Sequence, residues 1–298
     1  MKTALSLIAA LSCLTAGVSQ AADAPSQHPD ARAFRLGKLR LVAVHDAQYI
    51  MPNDGKVFGV DAGIEAVTTA LKTAGAPTDK ITLSVDGLVV KDGKHLALID
   101  TGIGAKSGGV LLESLKLAGI KASAITDILI THAHGDHIGG LVSADGTLVF
   151  PNATIRMSAN EWTSLQNQPE MAALVQVVTP KVVTFAPGAT LIPGITPLEI
   201  KGHTPGHVGY EIKSGKATLL DIGDTAHSAI ISLMKPDWAM GFDADAAVAK
   251  SSRRALLTQL SASQETIFAP HFPFPGVGKI AADGDHFKWQ PTLKPGAE

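Results

Sequence analysis

"LITHAHGDHIGG", residues 129–140, sets three histidines and an aspartate within six positions, in a chain of 298 residues that holds 11 histidines in all. The preceding "DILIT" (127–131) has the short apolar run of a buried strand, so the cluster begins where a strand ends. In extended backbone alternate side chains face the same way, and His132 and His134 can therefore present imidazoles to one ion with Ala133 between them. Gly135 permits a sharp turn. Asp136 and His137 follow as a helix begins and point elsewhere, so the spacing predicts two metal positions.

A zinc site takes three or four protein ligands, and two ions about 3.5–4 Å apart need a group to bridge them. Three later stretches offer the missing ligands, each at the C-terminal end of an expected strand or in the turn after it. They are "KGHTPGHVG" (201–209) with His203, "LLDIGDTAH" (219–227) with Asp224, and "IFAPHFPFPG" (267–276) with His271. The only cysteine, Cys13, lies in the N-terminal apolar segment, so nitrogen and oxygen must do any ligation in the mature chain.

With 45% hydrophobic and 17% charged residues the chain has ample apolar surface for a core, and disorder is excluded. A net charge of -2 without long runs of either sign gives no footprint for nucleic acid or an anionic membrane, which points to a small-molecule partner. Lys2, the apolar Ala4 to Val18 and the small residues of Ser19-Gln20-Ala21 form a cleavable export signal, residues 1–21. Its apolar stretch is shorter than the ~20 residues a membrane span needs. The mature chain is then expected in the periplasm or outside the cell, off the membrane, with a polar leader at 22–34 and one domain at 35–298.

Strands are expected at 39–47, 81–90, 95–102, 153–158, 182–186, 195–200, 209–213, 217–224 and 265–271. Lys91-Asp92-Gly93-Lys94 serves as a hairpin turn. Helical spacing appears at 108–120 and at 243–262, the latter with Asp243 as its cap. No fixed-period repeat or low-complexity linker divides the chain, which favours one domain of mixed strands and helices.

"HAHGDH" (132–137), "GHTPGH" (202–207), "GD" (223–224), the late histidine of "APHFPFPG" and the "LIDTG" strand end at Asp100 occur in the order found in the metallo-β-lactamase superfamily. The chain resembles that superfamily over roughly residues 35 to 290. The resemblance implies an α+β fold, the αββα sandwich of two mixed sheets flanked by helices. It implies further that His132, His134 and His203 hold one divalent ion, that Asp136, His137 and His271 hold a second, and that Asp224 bridges them. The imidazole and carboxylate ligands suit zinc first, with manganese, cobalt and iron as alternatives. His207 would support the site without ligating, His227 would line the pocket, and Asp100 would act as a partner of a ligand or as a turn former. His28, His45, His95 and His286 are read as surface or core histidines.

Two ions sharing a water lower its pKa towards about 7 and polarise a carbonyl or phosphoryl oxygen, which is hydrolysis without a nucleophilic side chain. Asp136 and Asp224 are then the catalytic carboxylates, Asp136 placed to hydrogen-bond the attacking hydroxide. Zinc β-lactamases generally lack a carboxylate at the place of Asp224, which weakens that branch. Glyoxalase II-like thioesterases carry a basic C-terminal grip that "DGDHFKWQPTLKPGAE" does not offer. "APHFPFPGVG" is similar to the corresponding segment of methyl parathion hydrolase and its lactonase relatives, including quorum-quenching enzymes. On that resemblance Phe272 and Phe274, with Trp162, give the pocket an apolar wall. The expectation is an exported lactonase acting on N-acyl homoserine lactones, with side activity on aryl phosphotriesters. An organophosphate hydrolase proper is the alternative, and a non-catalytic metal-binding sensor is disfavoured by the intact ligand set. Dimers are common among the resembling hydrolases, but no interface is legible here.

Overall fold

The computed structural model describes residues 28–294. The signal segment 1–21 and the first part of the leader lie outside the described residues, but the end of the leader does not. β1 (Ala31–Leu36) pairs antiparallel with β2 (Leu39–Pro52), starting at Ala31 opposite Val44. Most of β1 thus lies inside the stretch expected to be leader, because Phe34 packs against the inter-sheet core and the edge of β2 takes up the backbone.

After β2 come α1 (Ile64–Thr73), β3 (Lys80–Asp92), β4 (His95–Ile99), α2 (Leu111–Leu117), β5 (Asp127–Leu129) and α3 (Gly135–Ile138). They are followed by β6 (Thr154–Ser158), α4 (Ala159–Gln166), α5 (Ala172–Val178) and β7 (Val182–Phe185). These strands form one sheet in sequence order, β1 to β7, antiparallel through β4 and parallel from β4 to β7. Strands β8 (Ile195–Glu199), β9 (Val208–Ser214) and β10 (Ala217–Asp221) lead to α6 (Ile231–Met234) and α7 (Ala246–Ser263), then β11 (Thr266–Phe268), β12 (Val277–Asp283) and β13 (His286–Pro291). The second sheet runs β13-β12-β11-β10-β9-β8, with β10 and β11 parallel and the other pairs antiparallel.

Alternation along the strands builds the layers. Leu41, Leu88, Ile99 and Leu129 from the first sheet meet Tyr210, Ile212, Leu219 and Phe268 from the second. The other face of the first sheet packs on Leu111, Leu115, Leu165 and Val178 of its helices. Leu256, Leu257 and Leu260 of α7 cover the second sheet. This is the αββα order of layers, with two mixed sheets inside and helices outside, each apolar face buried against the next layer.

Several local expectations need correction. The cap of α7 is Asp245, whose carboxylate accepts from Val248 N at 3.1 Å, while Asp243 points into the site. The helices α1, α4 and α5 and the β12–β13 hairpin were not expected from the sequence, although α1 buries Val67, Ala70 and Leu71 at helical spacing. They are fixed by packing on the sheets and by pairing across Asp283 and His286.

Candidate metal centre

The segments following β5, β10 and β11, together with the β8–β9 loop, meet at one edge of the sandwich. They bring all seven expected ligands together. His132, His134, His203 and Asp224 form one group with ligand atoms within 4.8 Å of one another, and Asp136, His137 and His271 form a second. Gly139 and Gly140, which close the opening stretch, let this segment lie directly on the backbone after β4. A Cβ would stand 2.4 Å from Ile103 O at the first and 2.1 Å from Thr101 O at the second.

The ring orientations are set from behind. His137 Nδ1 donates to Asp100 Oδ2 at 2.7 Å, and His271 Nδ1 donates to Ser84 O at 2.7 Å. His203 Nδ1 faces Asp243 Oδ1 at 3.0 Å, and His132 Nδ1 faces Thr131 Oγ1 at 3.1 Å. Each contact holds the proton on Nδ1 and turns the Nε2 lone pair inward, the arrangement a metal-ligating imidazole needs. His134 instead presents Nδ1. The inward nitrogens form a triangle, with His203 Nε2 3.1 Å from His132 Nε2 and 3.0 Å from His134 Nδ1, and those two 3.1 Å apart. Lone pairs so close repel unless a cation lies among them, and ligands about 2.0–2.1 Å from a tetrahedral ion stand roughly 3.3 Å apart.

Asp224 faces both groups. Its Oδ2 lies 3.3 Å from His203 Nε2 and 3.6 Å from His132 Nε2, while Oδ1 lies 3.2 Å from His137 Nε2 and 3.1 Å from His271 Nε2. His137 Nε2 and Asp224 Oδ1 are buried without a hydrogen-bond partner, an arrangement that costs free energy unless something else satisfies both. The donor set, imidazole and carboxylate without sulfur, suits divalent ions of the zinc type. Burial opposes charge on Asp224, yet His271, His137, His132 and His227 around it hold its carboxyl well below the usual range. Burial likewise opposes charge on His271, and the neighbouring Asp224 and Asp136 outweigh it, raising the imidazole to about 9.

His207 does not join either group. Its Nδ1 donates to Ile200 O at 3.0 Å and its Nε2 accepts from Asp224 N at 2.9 Å, so it anchors the backbone of the central aspartate. Burial and the nearby His203 lower its pKa to about 3, which keeps it in the neutral form this acceptor role requires. His227 is buried on the cavity wall, its Nε2 3.2 Å from Asp224 Oδ2, and neither ring nitrogen has a hydrogen-bond partner.

Above the ligands opens a cavity of 790 Å³. His134, Asp136, Asp224 and His271 form its floor, and Tyr49, Met51, Leu83, Ile103 and Phe242 line its walls. Burial, with Asp136 and Asp46 nearby, pushes the Tyr49 phenol up and keeps it protonated beside the cavity. The aromatic wall expected from the sequence is elsewhere. Phe272 is fully buried on the helix side of the second sheet, edge-on to Trp289 at 5.0 Å. Phe274 packs against the inter-sheet core and His45, beside a separate hollow of 590 Å³ that also includes Arg32. Trp162 packs on the core outside the first sheet. In the tight turn after β11 neighbouring side chains diverge, and the backbone that aims His271 at the site aims Phe272 away from it.

Glu161 was not singled out in the sequence, yet its buried carboxylate ties two ligand loops together. Oε1 accepts from Ala133 N at 2.8 Å, and Oε2 accepts from Thr204 Oγ1 and Gly206 N at 2.8 Å each. Its only local signal was the Ser158-x-x-Glu161 spacing of a helix start, which tells where the helix begins and not where the carboxylate goes.

The model of the metallo-beta-lactamase superfamily matches residues 82–271. Among solved structures, this chain is similar to AidC, a dizinc quorum-quenching lactonase in complex with a product, at 30% identity and a TM-score of 0.85, covering 90% of this chain and 99% of that one. It is also similar to AbOPH, a hydrolase in the beta-lactamase superfamily, at 28% identity and a TM-score of 0.82, covering 91% of this chain and 100% of that one. The probable metallo-hydrolase YybB of Bacillus subtilis (strain 168) is 29% identical over 135 residues, 44% of this chain and 57% of that protein. The chain spans about half the length of the curated relatives it matches.

Proposed function

Because the chain belongs to the metallo-beta-lactamase superfamily and is a metal-dependent hydrolase, we propose that it opens lactones bearing an apolar chain, N-acyl homoserine lactones being the leading class. The observation that carries this reading is the 790 Å³ cavity with apolar walls standing directly over the seven clustered ligands. A lactone ring offers a small polar head for the floor, and its acyl chain offers methylenes for Met51, Leu83, Ile103 and Phe242. The product complex of AidC, whose organic part is N-acylated homoserine, supports the same class.

His132, His134, His203 and Asp224 would hold one zinc ion, and Asp136, His137 and His271 a second that shares Asp224. Such a pair supplies a hydroxide nucleophile at neutral pH and polarises the scissile carbonyl. The chain's own residues orient the reactants. Asp136, on the cavity floor, accepts a hydrogen bond from the nucleophile. Tyr49 and His227 line the same cavity with polar groups available to a substrate oxygen. The apolar walls exclude water around the chain and lower the local dielectric, which strengthens these contacts. The N-terminal segment supports export, with a mature chain starting near Ala22, which mass spectrometry of the secreted protein checks.

The test is a side-by-side kinetic panel of the zinc-loaded protein on acyl homoserine lactones, aryl phosphotriesters, a β-lactam and a glutathione thioester. Lactones are expected to lead in kcat/KM, with phosphotriesters slower. A leading phosphotriester would make the chain an organophosphate hydrolase. A leading β-lactam or thioester would overturn the lactone reading and leave the metal centre standing.

A further inference from the structure

Arg253 of α7 is the largest fully buried side chain in the described residues, and every bond it makes runs to a segment that shapes the site. Its Nε donates to Thr225 O at 2.9 Å, next in the chain to Asp224. Nη1 donates to Pro236 O at 3.0 Å and to Trp238 O at 2.9 Å, and Nη2 donates to Asp243 Oδ2 at 3.0 Å. The other oxygen of Asp243 faces His203 Nδ1 at 3.0 Å. A planar guanidinium with fixed donors suits such a node, which a lysine's single ammonium cannot reproduce.

Segment 236–243, held by Arg253 on one side, is held on the other by the loop after β2. Gly241 N donates to Val57 O at 2.7 Å, and Val60 N donates to Ala239 O at 3.2 Å. Gly241 and Phe242 of this segment form part of the cavity wall. Backbone bonds from Ala244 N to His203 O and from Asp245 N to Gly202 O, each 2.9 Å, join the same strut to the β8–β9 loop.

We propose that Arg253 is a positioning residue that holds the metal-facing orientation of His203, through Asp243, and the Phe242 wall of the substrate cavity in one register. Metal retention by the His132, His134, His203 and Asp224 group and capture of the substrate's apolar part therefore depend on the same buried guanidinium. The inference rests on the metal-binding reading of the site.

The test compares the zinc-loaded wild type with Arg253→Lys, Asp243→Asn and Leu257→Ala. Leu257 is fully buried on the same helix and has an apolar side chain that makes no hydrogen bond to Asp243 or to segment 236–243, so it controls for loss of stability alone. Zinc affinity is measured by competition with a chelating dye, thermal midpoint by calorimetry, and KM on short- and long-chain esters. Arg253→Lys is expected to weaken one of the two ions about 10- to 100-fold, as loss of a ligand's outer partner does, and to raise KM for the long-chain ester more than for the short one. Asp243→Asn is expected to weaken the same ion without the KM change, and carries the metal arm if Arg253→Lys does not fold. Leu257→Ala is expected to lower the midpoint with zinc affinity unchanged. Wild-type affinity in a folded Arg253→Lys or Asp243→Asn protein, or an equal loss in Leu257→Ala, overturns the inference alone. A wild type that takes up no zinc overturns the metal reading and the inference together.

Discussion

Asp100→Asn separates the role of a buried carboxylate from that of its shape. Asp100 is buried at the end of β4 with φ 57°, a left-handed conformation that asparagine also tolerates, so the backbone can stay where it is. Its Oδ1 accepts from Thr131 N at 2.8 Å, and its Oδ2 accepts from Thr131 Oγ1 and His137 Nδ1, each at 2.7 Å. An amide keeps one of these oxygens. With the oxygen on Thr131 N, the amide NH₂ faces His137 Nδ1, which can meet it only as an acceptor. The ring proton then moves to Nε2 and covers the lone pair intended for the metal. A hydrogen bond to a charged group contributes about 1.5–3 kcal/mol, so affinity for the ion held by His137 should fall about 10- to 150-fold. The thermal midpoint should fall by only a few degrees, at about 2–4 °C per kcal/mol for a domain of this size. Chelator competition on the purified variant measures the first quantity and calorimetry the second. Two ions bound as tightly as in the wild type would refute the tautomer argument, and so would a loss confined to the ion at His203.

Asp224→Ala should release both ions, since its oxygens face both groups, whereas His271→Ala should release mainly one; elemental analysis after gel filtration distinguishes the two. For lactones of increasing chain length, each methylene buried against the cavity wall should contribute up to about 0.8 kcal/mol, and Phe242→Ala should flatten the rise in kcat/KM. Phe272→Ala should leave that slope intact and cost about 3–5 kcal/mol in urea unfolding, because the ring is core and not cavity wall. Asp86 is wholly buried beneath His271, and burial lifts its carboxyl to about 6 against His45 and Ser84, which act to lower it. A raised carboxyl stabilises the fold at pH below its unfolded value near 3.8 and loses that contribution as pH rises through about 6. The stability of Asp86→Asn relative to wild type should therefore grow by on the order of 3 kcal/mol between pH 4 and 7; a flat difference would show that Asp86 ionises normally.

The clustering of the candidate ligands was legible because its chemistry is local: each candidate sits in a short turn after an apolar strand, and turns with histidine and aspartate stand out from their surroundings. The cavity wall was not, because its parts come from the end of β2, the first part of β3, the loop after β4 and the loop before α7, which only tertiary packing brings together. Phe272 and Phe274 looked like wall residues by adjacency to His271, but adjacency in a turn does not mean a shared direction. Asp243 looked like a helix cap by position, yet Asp245 two residues later takes the cap and frees Asp243 for His203 and Arg253. Arg253 gave no signal and Glu161 only that of a helix start, since a buried charge is recognised by partners that lie far away in the chain.

The two sheets meet at one edge through candidate ligands drawn from both: His132 to His137 follow a strand of the first, and His203, Asp224 and His271 come from loops of the second. An ion bound there fastens one half of the molecule to the other and exists only while both halves are folded. By mass action each site filled at a hundred times its dissociation constant adds about 2.7 kcal/mol to the folded state. Durability thus becomes a property of the surroundings as well as of the chain. The same protein should resist heat and proteases where free zinc is plentiful and come apart along its inter-sheet seam where a chelator keeps zinc scarce.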